Sequence, residues 1–135
     1  MSEERKVREN EIKSHLRSLE QKRDDLEVTK RAVWQQEDDE DMELTIAAGS
    51  LERMTICCSP DDRAILQLIE EKQEIMNNIR NKKLNFATEF EYETKKIQKQ
   101  IDWEMEDTYM QLSAVRKEQE EDTKESHTED KNGGW

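Results

Sequence analysis

The chain has 135 residues, 41% of them charged and 32% hydrophobic, with one proline and three glycines. Ordinary globular chains carry about 45–50% apolar residues, so this composition excludes a sizeable internal core and belongs with coiled coils and long helices. The net charge of −12 argues against nucleic acid and anionic membrane surfaces, which repel carboxylates.

The charge is unevenly placed. Residues 1–35 hold nine basic and eight acidic side chains, and residues 63–117 hold ten of each. The excess sits in residues 36–62, with one base against nine acids, and in residues 118–135, with two against seven. Met1-Ser2-Glu3-Glu4-Arg5 leads into charged sequence with no apolar run. A cleaved secretory signal is therefore not expected, and no stretch approaches the length of a membrane span. The cysteines, Cys57 and Cys58, are adjacent and form no disulfide framework. Synthesis in a reducing cytosol is expected, with export by a route lacking a cleaved signal left open.

The first predicted helix covers 3–36. Ile12, Leu19, Leu26 and Val33 recur every seven residues, with Leu16, Arg23 and Lys30 in the flanking row. One row of the seam is apolar and the other turns basic, which suits packing against a second helix better than a strong homodimeric zipper. Residues 37–58 are expected to form an irregular or short-helical bend. Glu37-Asp38-Asp39-Glu40-Asp41 raises the cost of a regular helix, and Gly49 is a candidate C-cap. Met54, Ile56 and Cys57 are expected to pack where the bend closes.

A long helix is expected over 60–118. Ser59 offers an N-cap hydroxyl, Pro60 suits the first helical position, and Asp61 and Asp62 favour the positive end of the helix dipole. Apolar pairs then recur every eleven residues: Ala64 and Leu68, Ile75 and Ile79, Phe86 and Phe90, Ile97 and Ile101, Thr108 and Leu112. That period keeps the stripe on one face. At about 1.5 Å per residue the helix would run roughly 90 Å. Ile75 and Ile79 are expected to seal the hairpin. The tail 119–135 has no apolar face and is expected to be disordered, with Trp135 as an isolated aromatic.

Catalytic and metal-binding patterns are not found. His15 and His127 lie far apart in sequence, glycine occurs only at 49, 133 and 134, and Cys57-Cys58 has no companion ligands. No catalytic residue, cofactor or metal is expected. The C-terminal half of the long helix instead widens its apolar surface through Tyr92 and Trp103, and the shorter first helix is expected to leave part of that half uncovered. An uncovered stripe of that kind suits a partner helix, and a second copy could cover it equally well. Phe86, Phe90, Ile97, Ile101 and Trp103 are the candidate contact residues.

An N-terminal helix, a bend and a long charged helix carrying Glu91-Tyr92-Glu93-Thr94-Lys95-Lys96-Ile97-Gln98-Lys99-Gln100 and Glu106-Asp107-Thr108-Tyr109 resembles a known family. These are the small helical accessory proteins encoded beside LXG-domain toxins of Gram-positive bacteria. The resemblance covers residues 3–118 and is one of architecture and texture. It implies binding to the helical LXG region of a toxin, together with a second small helical protein, in support of export by type VII secretion. It also implies an export signal in which an aromatic precedes an acid by four residues. Trp103 with Asp107 has that spacing, as does Trp34 with Asp38. Trp34-Gln35-Gln36 lacks the glycine of the Trp-x-Gly bend found in WXG-type partners.

The sequence thus predicts an all-α protein, an antiparallel two-helix hairpin or coiled coil with a very long second helix. Its expected role is non-catalytic and chaperone-like: binding an LXG-type toxin. The alternatives are a homo-oligomeric structural coiled coil and a stalk or chaperone of another secretion apparatus.

Overall fold

The computed structural model describes the backbone of residues 2–133 and the side chains of residues 3–121 and of Thr123. Two helices pack against each other: α1, Ser2–Cys57, and α2, Arg63–Gly133. Among the described residues there is no strand, and no helix is long and apolar enough to cross a membrane. The chain forms two compact units, Met1–Leu26 with Lys96–Trp135 (unit 1), and Glu27–Lys95 (unit 2).

In unit 1 the two helical segments run antiparallel. Arg8 reaches Glu118 at 3.6 Å, Glu9 reaches Arg116 at 3.6 Å, and Arg23 lies 4.0 Å from the Met105 sulfur. The core is Leu19, fully buried, with Ile101 and Met105, and Leu16 and Leu26 pack against it. Leu112, Val115 and Thr108 are also buried. The Thr108 hydroxyl donates to the carbonyl oxygen of Glu104 at 2.6 Å, so its polar atom is satisfied inside the seam.

Unit 2 contains the turn. Cys58 N–H bonds back to the Met54 carbonyl oxygen, and Asp62 N–H bonds to the Ser59 carbonyl oxygen, each at 3.0 Å. Pro60 therefore occupies the second position of a tight turn, which its fixed φ favours. The first bond of α2 runs from Leu66 N–H to the Asp62 carbonyl oxygen, making Asp62 the N-cap. This corrects the expected start: Ser59 and Pro60 build the turn and α2 begins at Arg63.

A second correction concerns 37–58, where α1 continues unbroken to Cys57. The seven-residue pattern of the first helix runs straight on through Glu37, Glu40, Leu44 and Leu51, half-buried or buried side chains in the rows begun by Leu16 and Ile12. The acidic run is tolerated because α2 supplies a counter-charge. Lys83 Nζ lies 3.1 Å from Glu37 Oε2, 2.8 Å from Glu40 Oε2 and 3.4 Å from Asp41 Oδ1. Within the helix, Gln35 and Gln36 donate to Asp39 and Glu40. Gly49 has no positive φ and sits inside the helix, not past its end. Met54, Ile56 and Cys57 are exposed, against the expected packing at the bend.

The third difference lies beyond 118. The tail expected from 119 to be disordered continues the helix of α2 to Gly133. Its Glu, Gln and Lys residues are good helix formers with no proline to stop them, and extending an established helix costs little. Trp135 lies outside the described residues.

Candidate functional site on the outer flank of α2

The inward face of α2 does not follow the eleven-residue stripe. In unit 2 the shielded side chains are Leu66, Ile69, Met76, Lys83, Ala87, Phe90 and Thr94, spaced by three, four or seven residues. In unit 1 they are Gln98, Ile101, Glu104, Met105, Thr108, Leu112 and Val115, where Glu104 lies beside the same spacing. This is a coiled-coil seam, and the seam of α1 has the same period. Trp34 and Phe90 close the seam of unit 2, with ring centroids 5.5 Å apart and planes at 82°, the edge-to-face geometry that aromatic quadrupoles favour.

Most of the apolar eleven-residue stripe in unit 2 is therefore left outside. Leu68 is 53% exposed, Ile75 56%, Ile79 40% and Phe86 44%, and Ile65 beside them is 45% exposed. Ile75 and Ile79 do not seal the hairpin, contrary to expectation. At about 100° per residue, this row lies roughly 80° around α2 from the seam. Each of Ile65, Leu68, Ile75 and Phe86 immediately precedes a seam residue. Phe86 bridges the two rows by stacking on Phe90, with centroids 5.6 Å apart and an interplanar angle of 18°.

The other candidate contact residues divide. Phe90 is half-buried between Trp34 and Phe86. Ile101, at 6% exposure, belongs to the core of unit 1 with Leu19 and Met105, so no partner can reach it without opening that core. Ile97 and Trp103 are exposed, the latter at 67%. Asp107 is exposed and accepts a hydrogen bond from Gln111 at 2.9 Å. Tyr92 in unit 2, and Tyr109 and Met110 in unit 1, are further exposed apolar side chains. Leu68 and Ile65 were not among the candidate contacts. The signal for them was their position one residue before Ile69 and Leu66, which becomes readable once the seven-residue seam is recognised despite Lys83 within it.

On the opposite flank of α2 a groove of about 420 Å³ opens in unit 2. Its walls are Trp34, Asp38, Asp41 and Leu44 of α1 and Arg80, Leu84 and Ala87 of α2. Beside it, Lys83 is only 13% exposed at its side chain. Burial there opposes the ammonium charge. The hydrogen bonds that the ammonium donates to Glu40, Glu37 and Asp41 outweigh that effect and hold the Lys83 pKa well above the ordinary lysine value. Glu40 is shifted down, first by its hydrogen bond with Lys83 and then by that with Gln36. The carboxylates nearest the seam are thus engaged by a lysine. Among the described residues no group of three or more His, Cys, Asp or Glu is arranged to hold a metal ion. Cys57 and Cys58 are free thiols at the end of α1.

No family model matches the chain, and no curated protein or solved structure matches it.

Proposed function

We propose that this chain is a non-catalytic helical binding protein whose partner is another helical protein, and that the partner is the helical region of an LXG-type toxin exported by type VII secretion. One observation carries the binding reading: Leu68, Ile75, Ile79 and Phe86 form an exposed apolar row on a helix whose own seam with α1 is already filled. A helix with apolar side chains at three- and four-residue spacing on a second flank is built to pack against a second neighbour. The architecture of two packed helices and the texture of residues 91–109 support the choice of toxin class. In this reading the protein is made in the cytosol and acts as a targeting chaperone. Phe86, Ile97, Trp103 and Asp107 serve the complex as exposed positions, while Phe90 and Ile101 hold the molecule together.

The test is co-expression with the LXG region of a toxin encoded beside the gene, followed by affinity purification and light scattering. A stable complex that is lost in Phe86→Asp, a variant retaining its helicity by circular dichroism, is the expected result. Absence of a complex with the wild-type chain, or a complex indifferent to Phe86→Asp, overturns it. Phe90→Asp is unsuitable for this purpose because it would also remove the Trp34 contact.

A further inference from the structure

We infer that the occupant of the exposed row is a single amphipathic helix from a different protein, with acidic residues opposite Lys72 and Lys82 and a basic edge turned toward α1. This rests on the reading that the chain binds a helical protein, and it specifies the chemistry of that partner.

The position of the row fixes its surroundings. The groove containing Trp34 is lined on both helices by residues that directly follow seam residues: Trp34, Asp38, Asp41 and Thr45 on α1, and Leu84 on α2. In an antiparallel pair, equivalent flanks meet, so the residues that directly precede seam residues share the opposite side. On α2 these are Ile65, Leu68, Ile75, Lys82 and Phe86, followed by Glu89 and Glu93 at the far end. On α1 they are Ala32, Gln36, Asp39, Glu43 and Ser50. The α1 side of this flank therefore carries no large apolar side chain, and its charges, on Asp39 and Glu43, are both negative. Lys83 engages Glu37, Glu40 and Asp41, whereas among the described residues no basic side chain is paired with Asp39 or Glu43. Both are exposed. A basic edge on the incoming helix meets them.

The row itself argues against a second copy. Between Leu68 and Phe86 it is symmetric about Asn77: Leu68 mirrors Phe86, Lys72 mirrors Lys82 and Ile75 mirrors Ile79. Two copies related by a twofold axis at that point would match apolar with apolar, but each Lys72 would face Lys82 of the other copy. Like charges in the layers of a seam are destabilising. Unit 2 also carries sixteen acids against nine bases, so two such faces repel at longer range. A foreign helix avoids both costs by placing Glu or Asp opposite the lysines. Because residues 68–86 of the row read the same in either direction, a helix confined to that span can dock parallel or antiparallel.

The test uses the full chain and two synthetic helical peptides of about 25 residues, enough to span the row at about 1.5 Å per residue. The first carries Leu at the positions facing Leu68, Ile75, Ile79 and Phe86, Glu at the two facing the lysines, and Lys along the edges. The second exchanges its Glu and Lys residues. Titration calorimetry at physiological salt should show the first peptide binding at least about tenfold more tightly, a difference of about 1.4 kcal/mol. Ile75→Glu with Ile79→Glu should abolish that binding, and Met110→Glu on the exposed surface of unit 1 should leave it unchanged. Should the isoleucine variant lose helicity, Lys72→Glu with Lys82→Glu provides the independent check, since it should reverse the preference between the peptides.

Equal affinity of the wild-type chain for both peptides overturns the inference, as does a preference unmoved by the lysine substitutions. A stable dimer of the wild-type chain that Ile75→Glu with Ile79→Glu dissociates also overturns it, by assigning the face to a second copy. Retention of an LXG region by both the wild type and the isoleucine variant overturns this site while leaving the proposed function intact. The peptide preference without retention of an LXG region supports the site and refutes the toxin assignment.

Discussion

Lys83 Nζ lies 2.8 Å from Glu40 Oε2, a contact between residues 43 positions apart in the chain. It joins the N-terminal third of α2 to the acidic run of α1, and the same ammonium donates to the Glu37 backbone carbonyl oxygen at 3.2 Å. A position that a coiled-coil seam ordinarily gives to an apolar side chain is here used for charge compensation. Replacing Lys83 by Met should therefore not improve the hairpin, because it leaves Glu37, Glu40 and Asp41 facing one another without a cation. Hydrogen exchange should accelerate in residues 35–45 of Lys83→Met, more than in unit 1. Unchanged protection there would show that the helix tolerates the acidic run unaided.

The same contact sets a pH dependence. Glu40 has its folded pKa below its ordinary 4.5, so its contribution to stability is present above 4.5 and is lost as pH falls through the folded value. The melting temperature of the wild type should exceed that of Glu40→Gln at pH 7, with the gap closing below 4.5. Comparing the two proteins at each pH removes the general relief of repulsion that acid brings to so acidic a chain. Lys83 has the opposite sign: its raised pKa gives a contribution present below the ordinary 10.5 and lost as pH rises through the folded value.

Leu19 and Ile75 distinguish the two apolar rows energetically. Leu19 is fully buried against Ile101 and Met105, and Leu19→Ala should cost about 3 kcal/mol through lost transfer energy and the cavity left behind. Ile75 is 56% exposed, and Ile75→Ala should change stability by no more than about 0.5 kcal/mol. Urea denaturation of the two variants measures both values. A comparable loss in Ile75→Ala would place the outer row inside the seam.

Gly49 offers a stabilising substitution. It lies within α1, without the positive φ that would exclude a side chain. A Cβ there would meet the Arg53 guanidinium at 3.9 Å, ordinary contact distance. Gly49→Ala should stabilise the protein by about 0.5–1 kcal/mol, the helix-propensity difference between the two residues. Had Gly49 capped the helix, the same change would destabilise it.

Much was legible in the residues themselves. The scarcity of proline and glycine and the seven-residue spacing of Ile12, Leu19, Leu26 and Val33 determine two long helices, but not the place where they part: a bend is expected over 37–58, and α1 instead runs unbroken to Cys57. The spacing also shows that α2 has more apolar surface than one partner helix needs. It does not reveal which of two adjacent rows faces inward. Leu68 and Ile75 are as hydrophobic as Ile69 and Met76, and only a one-residue offset separates the rows. That choice was made by tertiary contacts: Trp34 against Phe90, and Glu37, Glu40 and Asp41 around Lys83. A lysine looks like a defect in an apolar seam until the carboxylates of another helix surround it. Periodicity reports what a helix can bury, whereas the matching of charges and rings between distant segments determines what it does bury.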